Sequence, residues 1–386
     1  MNAPRITYSV RDVMTGTLLG ELPLTGVRWS WVLNGAGSFS GKLNVADPRV
    51  ALLDWKALTQ PSRAALWVGV NDALVWGGMI TARTRDRSTM SVSVTAADWA
   101  SYLGRRQQAK DYATTWATTA ASPLTIGETM VNDALQAVGS LPITVVTDGT
   151  VPNAYWIRAS FPGSQRQTLQ SVLSMLAGMG YGVGFDYASD VTGTLDDPFG
   201  SVTLSYPRRG RIAGETGLVI ETTPDALGDT WTEDGTRQAT SVSEMSTGSG
   251  GVQQQTLWAP AFGEGYPLLE RQLSHSSMSS TPADQSVLSA TLAGDIGRLA
   301  YPPLTATVPV PAFGGSVAVG EFLVGDDVRV RAGTGGGGIA DPLFPDPVDT
   351  YLRIVQATVH VADQGVSTMT LSLTTPPTMT PVAPTI

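Results

Sequence analysis

The chain has 386 residues, 42% of them hydrophobic and 15% charged, which excludes global disorder and calls for about two to four structural units. A formal charge of −9 excludes a general basic nucleic-acid-binding surface. The absence of cysteine excludes disulfides, thiolate nucleophiles and cysteine zinc sites, and leaves the redox compartment open.

Forty-two glycines and 25 prolines fit many short strands joined by turns. Only Lys42, Lys56 and Lys110 stand against 21 arginines, a bias that fits a GC-rich genome. The N-terminus, MNAPRITYSV, has no apolar stretch of signal-peptide type, and no apolar run approaches the ~20 residues of a membrane span. No membrane anchor is expected.

Residues 1–105 read as one β-rich unit. Ile6, Tyr8 and Val10 alternate, as do Trp29 with Trp31 and Phe39 with Gly41 and Leu43. Leu66–Val70 is an apolar run, Asn71-Asp72 a turn, and Leu74–Ile80 a second run holding the pair Gly77-Gly78, which predicts a bulge or barrel corner. Met90, Val92 and Val94 alternate with Ser91, Ser93 and Thr95, and Tyr102-Leu103 close the unit. Seven of the ten tryptophans precede residue 120, placing the densest aromatic core here.

Residues 106–150 read as a small helical insertion. Ser122-Pro123 starts a helix whose stripe is Ile126, Met130, Leu135 and Val138, and Gly139 stops it. Residues 151–210 predict an α+β unit. Ser164-Gln165-Arg166-Gln167 matches a capping box, Leu169, Val172, Leu173 and Leu176 recur at helical spacing, and Gly178 and Gly180 end the helix. The following strand, Tyr181 to Tyr187, is expected to pair with Val202–Tyr206.

Residues 211–386 predict a β-rich unit, barrel-like at 304–375. A flexible patch is expected at Gly248–Gly251. A helix at about 281–300 starts at Thr281-Pro282-Ala283-Asp284, with Leu288, Leu292, Ile296 and Leu299 as its stripe, and ends at Tyr301-Pro302-Pro303. Gly320–Arg331 holds a turn and then a strand. Gly335–Gly338 with Asp341-Pro342 interrupts the sheet, and Leu352, Ile354, Val359 and Val361 resume it. Asp363-Gln364-Gly365 is a turn, Met369, Leu371 and Leu373 alternate in the last strand, and Thr374–Ile386 reads as extended. Residues 66–103 and 320–373 echo each other loosely, with no repeat at fixed period.

Chemistry is sparse. No phosphate-loop, zincin or nucleophile-elbow motif occurs. Gly178–Gly184 is glycine-rich but follows a helix and enters a strand, the reverse of the dinucleotide-binding order, so it reads as a helix stop with close packing. His275 and His360 are the only histidines; a serine-rich surface and a sheet face account for them. Asp196-Asp197, Asp326-Asp327, and Asp346 with Asp349 offer calcium oxygens, yet none fits the calcium-loop pattern and turns are expected there. Arg208-Arg209-Gly210-Arg211 is the compact basic cluster, open to nucleic acid or an acidic neighbour; the net charge favours a solvated turn. Arg83, Arg85 and Arg87 share one strand face, as a polar surface or a subunit contact. No catalytic, cofactor-binding or metal-ligating residue is assigned, and no cofactor is expected.

The fold class from these patterns is mainly β with α+β insertions. Three stretches carry a resemblance: WSWVLNGAGSFSGKLNVADPRV followed by LWVGVNDALVWGGMITARTRD and DWASYLGRR; SQRQTLQSVLSMLAGMGYGVGFDY; and TPADQSVLSATLAGDIGRLAYPP followed by VGDDVRVRAG and YLRIVQATVHVADQGVSTMTLSL. In that order the chain resembles the hub proteins of bacteriophage tails, notably minor tail proteins of long-tailed phages of actinobacteria. The resemblance implies two small β-barrel-like domains separated by helix-containing units. It implies a homotrimeric, non-enzymatic ring at the virion tail tip, assembled in the host cytoplasm. That ring joins the sixfold tube to tip or fibre proteins, with DNA only in transit through an acidic bore. The chain ends soon after its last predicted strand, so an added peptidase or muralytic domain is not expected. The alternatives are a distal tail or receptor-binding protein contacting the host cell wall, a cell-wall glycosidase using two carboxylates, and a stand-alone carbohydrate-binding β protein.

Overall fold

Alternating runs from both ends of the chain become strands of one large sheet, and the runs with helical spacing close over a second core. The computed structural model describes residues 4–179, 183–222, 228–248, 251–258, 265–275, 292–333 and 342–377. The first β block holds β1 (Ile6–Asp12), β2 (Leu18–Glu21), β3 (Thr25–Val32), β4 (Ser38–Asn44), β5 (Ala64–Val70), β6 (Ala73–Asp86) and β7 (Ser91–Asp98). Two single-turn helices, α1 (Pro48–Ala51) and α2 (Trp55–Leu58), cross between β4 and β5, and α3 (Trp99–Leu103) closes the block.

The expected alternation holds in β7, where Val92, Val94 and Ala96 are buried. Met90 departs from it: with φ of 47° and half its surface exposed, it belongs to the preceding turn. Asn71 and Asp72 both take left-handed φ, 49° and 67°, the turn that matches strand twist in a two-residue hairpin. Gly77 and Gly78 are not a bulge. Both pair in register, Gly77 with Trp67 and Gly78 with Leu66, while the register slips on either side, at Val75 and Thr81. The glycines make room: a Cβ on Gly77 would lie 2.4 Å from the Trp67 ring, and one on Gly78 2.3 Å from the Ala97 carbonyl oxygen.

The middle of the chain forms β8 (Tyr112–Ala121), α4 (Pro123–Leu135), β9 (Thr144–Asp148), β10 (Ile157–Phe161), α5 (Leu169–Ala177), β11 (Asp186–Gly193) and β12 (Pro198–Ser205). Ser122 caps α4 as expected, its Oγ accepting from Thr125 N at 3.1 Å. Val138 lies beyond the helix and is fully exposed. The capping box at Ser164 does not form. Arg166 turns left-handed, φ 48°, and Thr168 caps α5 instead, accepting from Ser171 N at 3.2 Å. Leu169, Val172, Leu173 and Leu176 are buried and Gly178 is the C-cap; Gly180, Tyr181 and Gly182 lie outside the described residues. The strand expected from Tyr181 begins at Asp186, and its pairing with β12 is found. β9 adds parallel to β12, and β8 pairs with β10.

The last part holds β13 (Val219–Glu221), β14 (Thr230–Glu233), β15 (Ser241–Gly248), β16 (Gly251–Trp258), β17 (Glu270–His275), helix α6 (292–299), β18 (Leu304–Pro311), β19 (Asp327–Ala332), β20 (Val348–His360) and β21 (Thr368–Thr374). Leu292, Ile296 and Leu299 of α6 pack on Ala239 and Val242, with the sheet β16-β15-β17 alongside. The expected helix start at Thr281-Pro282 with Leu288, the dipeptide Ser249-Gly250, the glycines 335–338 with Asp341, and the tail from 378 lie outside the described residues.

The two terminal β blocks are halves of one thirteen-stranded sheet. β20 pairs antiparallel with β3, from Gln356 opposite Val32 to His360 opposite Arg28, and carries β21, β18 and β14 beyond it. Among the described residues neither block closes on itself; β2 and β14 end the strand path. One apolar core runs under both halves, joining Trp29, Phe39 and Trp76 to Val328, Ile354 and Leu371. A second core collects α4, α5, β10–β12 and, from the first block, Trp67, Met79 and Trp99. The protein is mainly β with α+β insertions.

Candidate functional site

The sequence Tyr206-Pro207-Arg208-Arg209-Gly210-Arg211 leaves β12 and meets Gly325-Asp326-Asp327 at the start of β19. Gly210 has φ of 87°, and a Cβ there would lie 2.2 Å from the Gly325 carbonyl carbon. The close approach lines up Arg208 and Arg211 with acids over a hundred residues away. Arg208 donates from Nη1 and Nη2 to the two oxygens of Asp327, at 3.1 and 2.5 Å, and both side chains are under 5% exposed. Arg211 donates from its backbone N to Asp326 Oδ1, 2.7 Å, and from Nε and Nη2 to Oδ2. Arg209 turns the other way, toward Asp190 on β11, donating from Nη1 at 2.8 Å and Nη2 at 2.5 Å.

Arg353 of β20 completes the junction. Its Nη2 donates to Asp186 Oδ2 and to the Arg209 carbonyl oxygen, and its Nε to the Gly325 carbonyl oxygen. Asp186 Oδ2 also accepts from Arg209 N at 2.9 Å, while its Oδ1 accepts from Asn34 Nδ2 at 2.8 Å. Asn34, left-handed at φ 56°, accepts in turn from Tyr187 N on its Oδ1. One carboxylate thus ties β11 to the turn after β3, to the basic loop and to β20.

The cluster Arg208–Arg211 is therefore not a solvated turn, and its guanidiniums are occupied within the chain. Asp326-Asp327 are its acceptors, and Asp326 also closes the expected turn, its Oδ2 accepting from Leu323 N at 3.0 Å. Of these four buried or half-buried ion pairs, Arg208–Asp327 and Arg353–Asp186 hold the α+β unit against the C-terminal half of the sheet, and each of the four has the bidentate or multiple hydrogen bonds that buried pairs require. Chemically this is a lock: every carboxylate in it is paired with an arginine.

The other sequence candidates fall elsewhere. Asp196-Asp197 sit in the β11–β12 hairpin turn, where backbone carbonyls of Leu195 and Asp196 accept from buried Arg11 at 2.8 and 2.7 Å. Asp349 pairs with Arg329 and Arg331 across β19 and β20. Arg83 donates to the Lys56 carbonyl oxygen, and Arg85 lies 5.5 Å over the Trp55 ring, so two of the three alternating arginines fasten α2. Arg87 lies in the turn beyond β6. His360 ends β20 beside Arg28; burial and that charge push its imidazole below the usual range. His275 ends β17. Among the described residues no group of three histidines and acids can hold a metal ion, and no helix is long and apolar enough to cross a membrane.

No protein-family profile matches the chain, and no curated protein does. Solved structures do, over almost the whole length. A tail protein from Neisseria meningitidis MC58 superposes with a TM-score of 0.59 at 14% identity, covering 96% of each chain. The 43 kDa tail protein of prophage MuSo2 from Shewanella oneidensis gives 0.58 at 10% identity, over 97% of this chain and 99% of that one. The fold is that of phage tail proteins. Prophage tail protein gp18 from Listeria monocytogenes EGD-e repeats the match, with a TM-score of 0.56 at 14% identity over 95% and 94%. In this tail-protein fold the arginine–aspartate junction sits where the middle unit meets both halves of the sheet.

Proposed function

We propose that the chain is a structural, non-enzymatic component of a phage-type tail, a trimeric hub at the tip of the virion. The observation that carries this reading is the end-to-end likeness to tail proteins, which includes both β blocks and the unit between them. The sheet itself supports a ring. Among the described residues it runs from edge strand β2 to edge strand β14, and an open strand edge is a template for pairing with a neighbouring chain. Leu18 and Leu19 on β2 are about half exposed, as a subunit contact requires. Three copies with two β blocks each present six similar blocks, the number needed to meet a sixfold tube. The net charge of −9 suits a bore through which DNA passes without sticking. Distal tube and tip or fibre proteins are the expected partners, and the arginine bias keeps a GC-rich host in the proposal.

Native mass spectrometry and electron microscopy of the chain, alone and with its tube and tip neighbours, test the hub. A threefold ring is expected. A chain that stays monomeric beside both neighbours overturns it. Zymography on host peptidoglycan checks the non-enzymatic part, for which no clearing is expected.

A further inference from the structure

The strand order of the large sheet repeats itself. β14-β18-β21-β20 is followed directly by β3-β4-β7-β6, each strand antiparallel to the next. The registers agree residue by residue. Trp231 lies opposite Ala306 as Trp29 lies opposite Phe39, and Thr307 opposite Ser372 as Ser40 opposite Thr95. β20 slips against β21 just after Ile354, and β6 slips against β7 just after Ile80. β14 therefore corresponds to β3, and β20 to β6, with Thr358 matching Thr84 and Val359 matching Arg85.

β20 has two partners along its outer edge. Its first half pairs with β19 as far as Arg353, and its second half, Gln356 to His360, receives β3. β6 has only the first of these. It pairs with β5 as far as Met79, and from Ala82 to Asp86 it has β7 on one side and no strand on the other among the described residues. The divide is marked alike in both strands: the Ile354 carbonyl oxygen accepts from Gly325 N and that of Ile80 from Ser62 N, each at 2.7 Å. The strand that β6 lacks is the counterpart of β3, which is β14. Six strands separate β14 from β6 within one chain, so a β14 that reaches this edge belongs to another copy.

We infer that β14 of one copy pairs antiparallel with the second half of β6 of the next, in the register of the β20–β3 seam. That register sets Thr230 opposite Asp86, Trp231 opposite Arg85, Thr232 opposite Thr84 and Glu233 opposite Arg83. The internal seam places Trp29 opposite Val359 and Trp31 opposite Ala357 at the corresponding positions, an apolar closure. Between copies the same positions hold a tryptophan facing an arginine and a glutamate facing an arginine, both attractive pairs. Glu233 is exposed, and neither it nor Arg83 has an ion-pair partner among the described residues. Charges on an open edge also keep it from pairing indiscriminately before the right strand arrives. The contact is head to tail, so copies add in one sense until a ring closes or a filament grows. Closure at three copies rests on the proposed function; the choice of edges and their register rest on the internal repeat.

The chain has no cysteine, so introduced pairs report alone. Thr84→Cys with Thr232→Cys in the full chain, oxidised beside its tube and tip neighbours, is expected to give intermolecular disulfides on a non-reducing gel. Directly opposite residues hold their Cβ atoms about 4.5–5.5 Å apart, near the reach of that bond. The offset pair Thr84→Cys with Thr230→Cys, and Leu18→Cys with Thr232→Cys, which places β14 on β2 instead, are expected to give at least about tenfold less product. Arg83→Glu and Glu233→Arg are each expected to weaken assembly several-fold, and the two together to restore it, which loosening of α2 by the Arg83 change alone does not explain. A threefold ring in which either control links as well as Thr84 with Thr232, or in which the double reversal is no better than the singles, overturns the pairing and leaves the hub standing. Linked products that run past three copies keep the pairing and overturn the ring. A chain that stays monomeric and unlinked beside both neighbours overturns both.

Discussion

Arg353 shows how a single side chain can hold three chain segments that share no local sequence. Its guanidinium reaches Asp186 on β11, the Arg209 carbonyl oxygen in the basic loop and the Gly325 carbonyl oxygen before β19. Methionine at this position keeps much of the volume and removes every one of these donors. Asp186 then keeps its two amide donors, Asn34 Nδ2 and Arg209 N, but loses its counter-charge in a buried site. Breaking one side of such a pair costs about 3–5 kcal/mol, far more than an exposed pair such as Arg329–Asp349 contributes. Arg353→Met is therefore expected to lower the urea midpoint strongly, measured by circular dichroism, while Arg329→Met moves it little.

Among the elements, α5 is the sharpest test of how local sequence selects a boundary. Ser164 and Thr168 are both plausible caps by residue type, and Ser164 also has Gln167 three residues on. The left-handed turn at Arg166 decides in favour of Thr168. Thr168→Ala is expected to cost about 1 kcal/mol and Ser164→Ala close to nothing, in paired denaturation curves. Elements with period-two burial, such as β4, β7 and β21, were legible because their cores lie on one face. β8 was not: its buried Tyr112 and Trp116 stand four apart, since its pairing with β10 slips register twice. β9 is short and mostly exposed, so burial leaves no pattern in it. The junction was least legible. Arg208 and Asp327 are 119 positions apart and Arg353 and Asp186 167, and no local spacing encodes such pairs. The only hint was that a basic run and an acidic pair each flank a strand.

At the scale of the molecule, the terminal blocks share a sheet and a core, so neither is complete alone. A fragment of residues 1–105 leaves β3 without β20 and exposes Trp29, which is 1% accessible in the whole chain. It is expected to show poorly dispersed amide spectra or to aggregate. A well-folded fragment with a cooperative melt would instead make the first block autonomous.

The seam between β3 and β20 also sets an order of events during synthesis. Gly26, within β3, donates its amide to Asp363, 337 residues further along. While the ribosome is still working through the middle of the chain, the tryptophan-rich first block stands with one flank unmatched. Distant pairings of this kind form slowly and leave sticky surface exposed meanwhile. The first block can therefore complete its sheet only once β20 has been made.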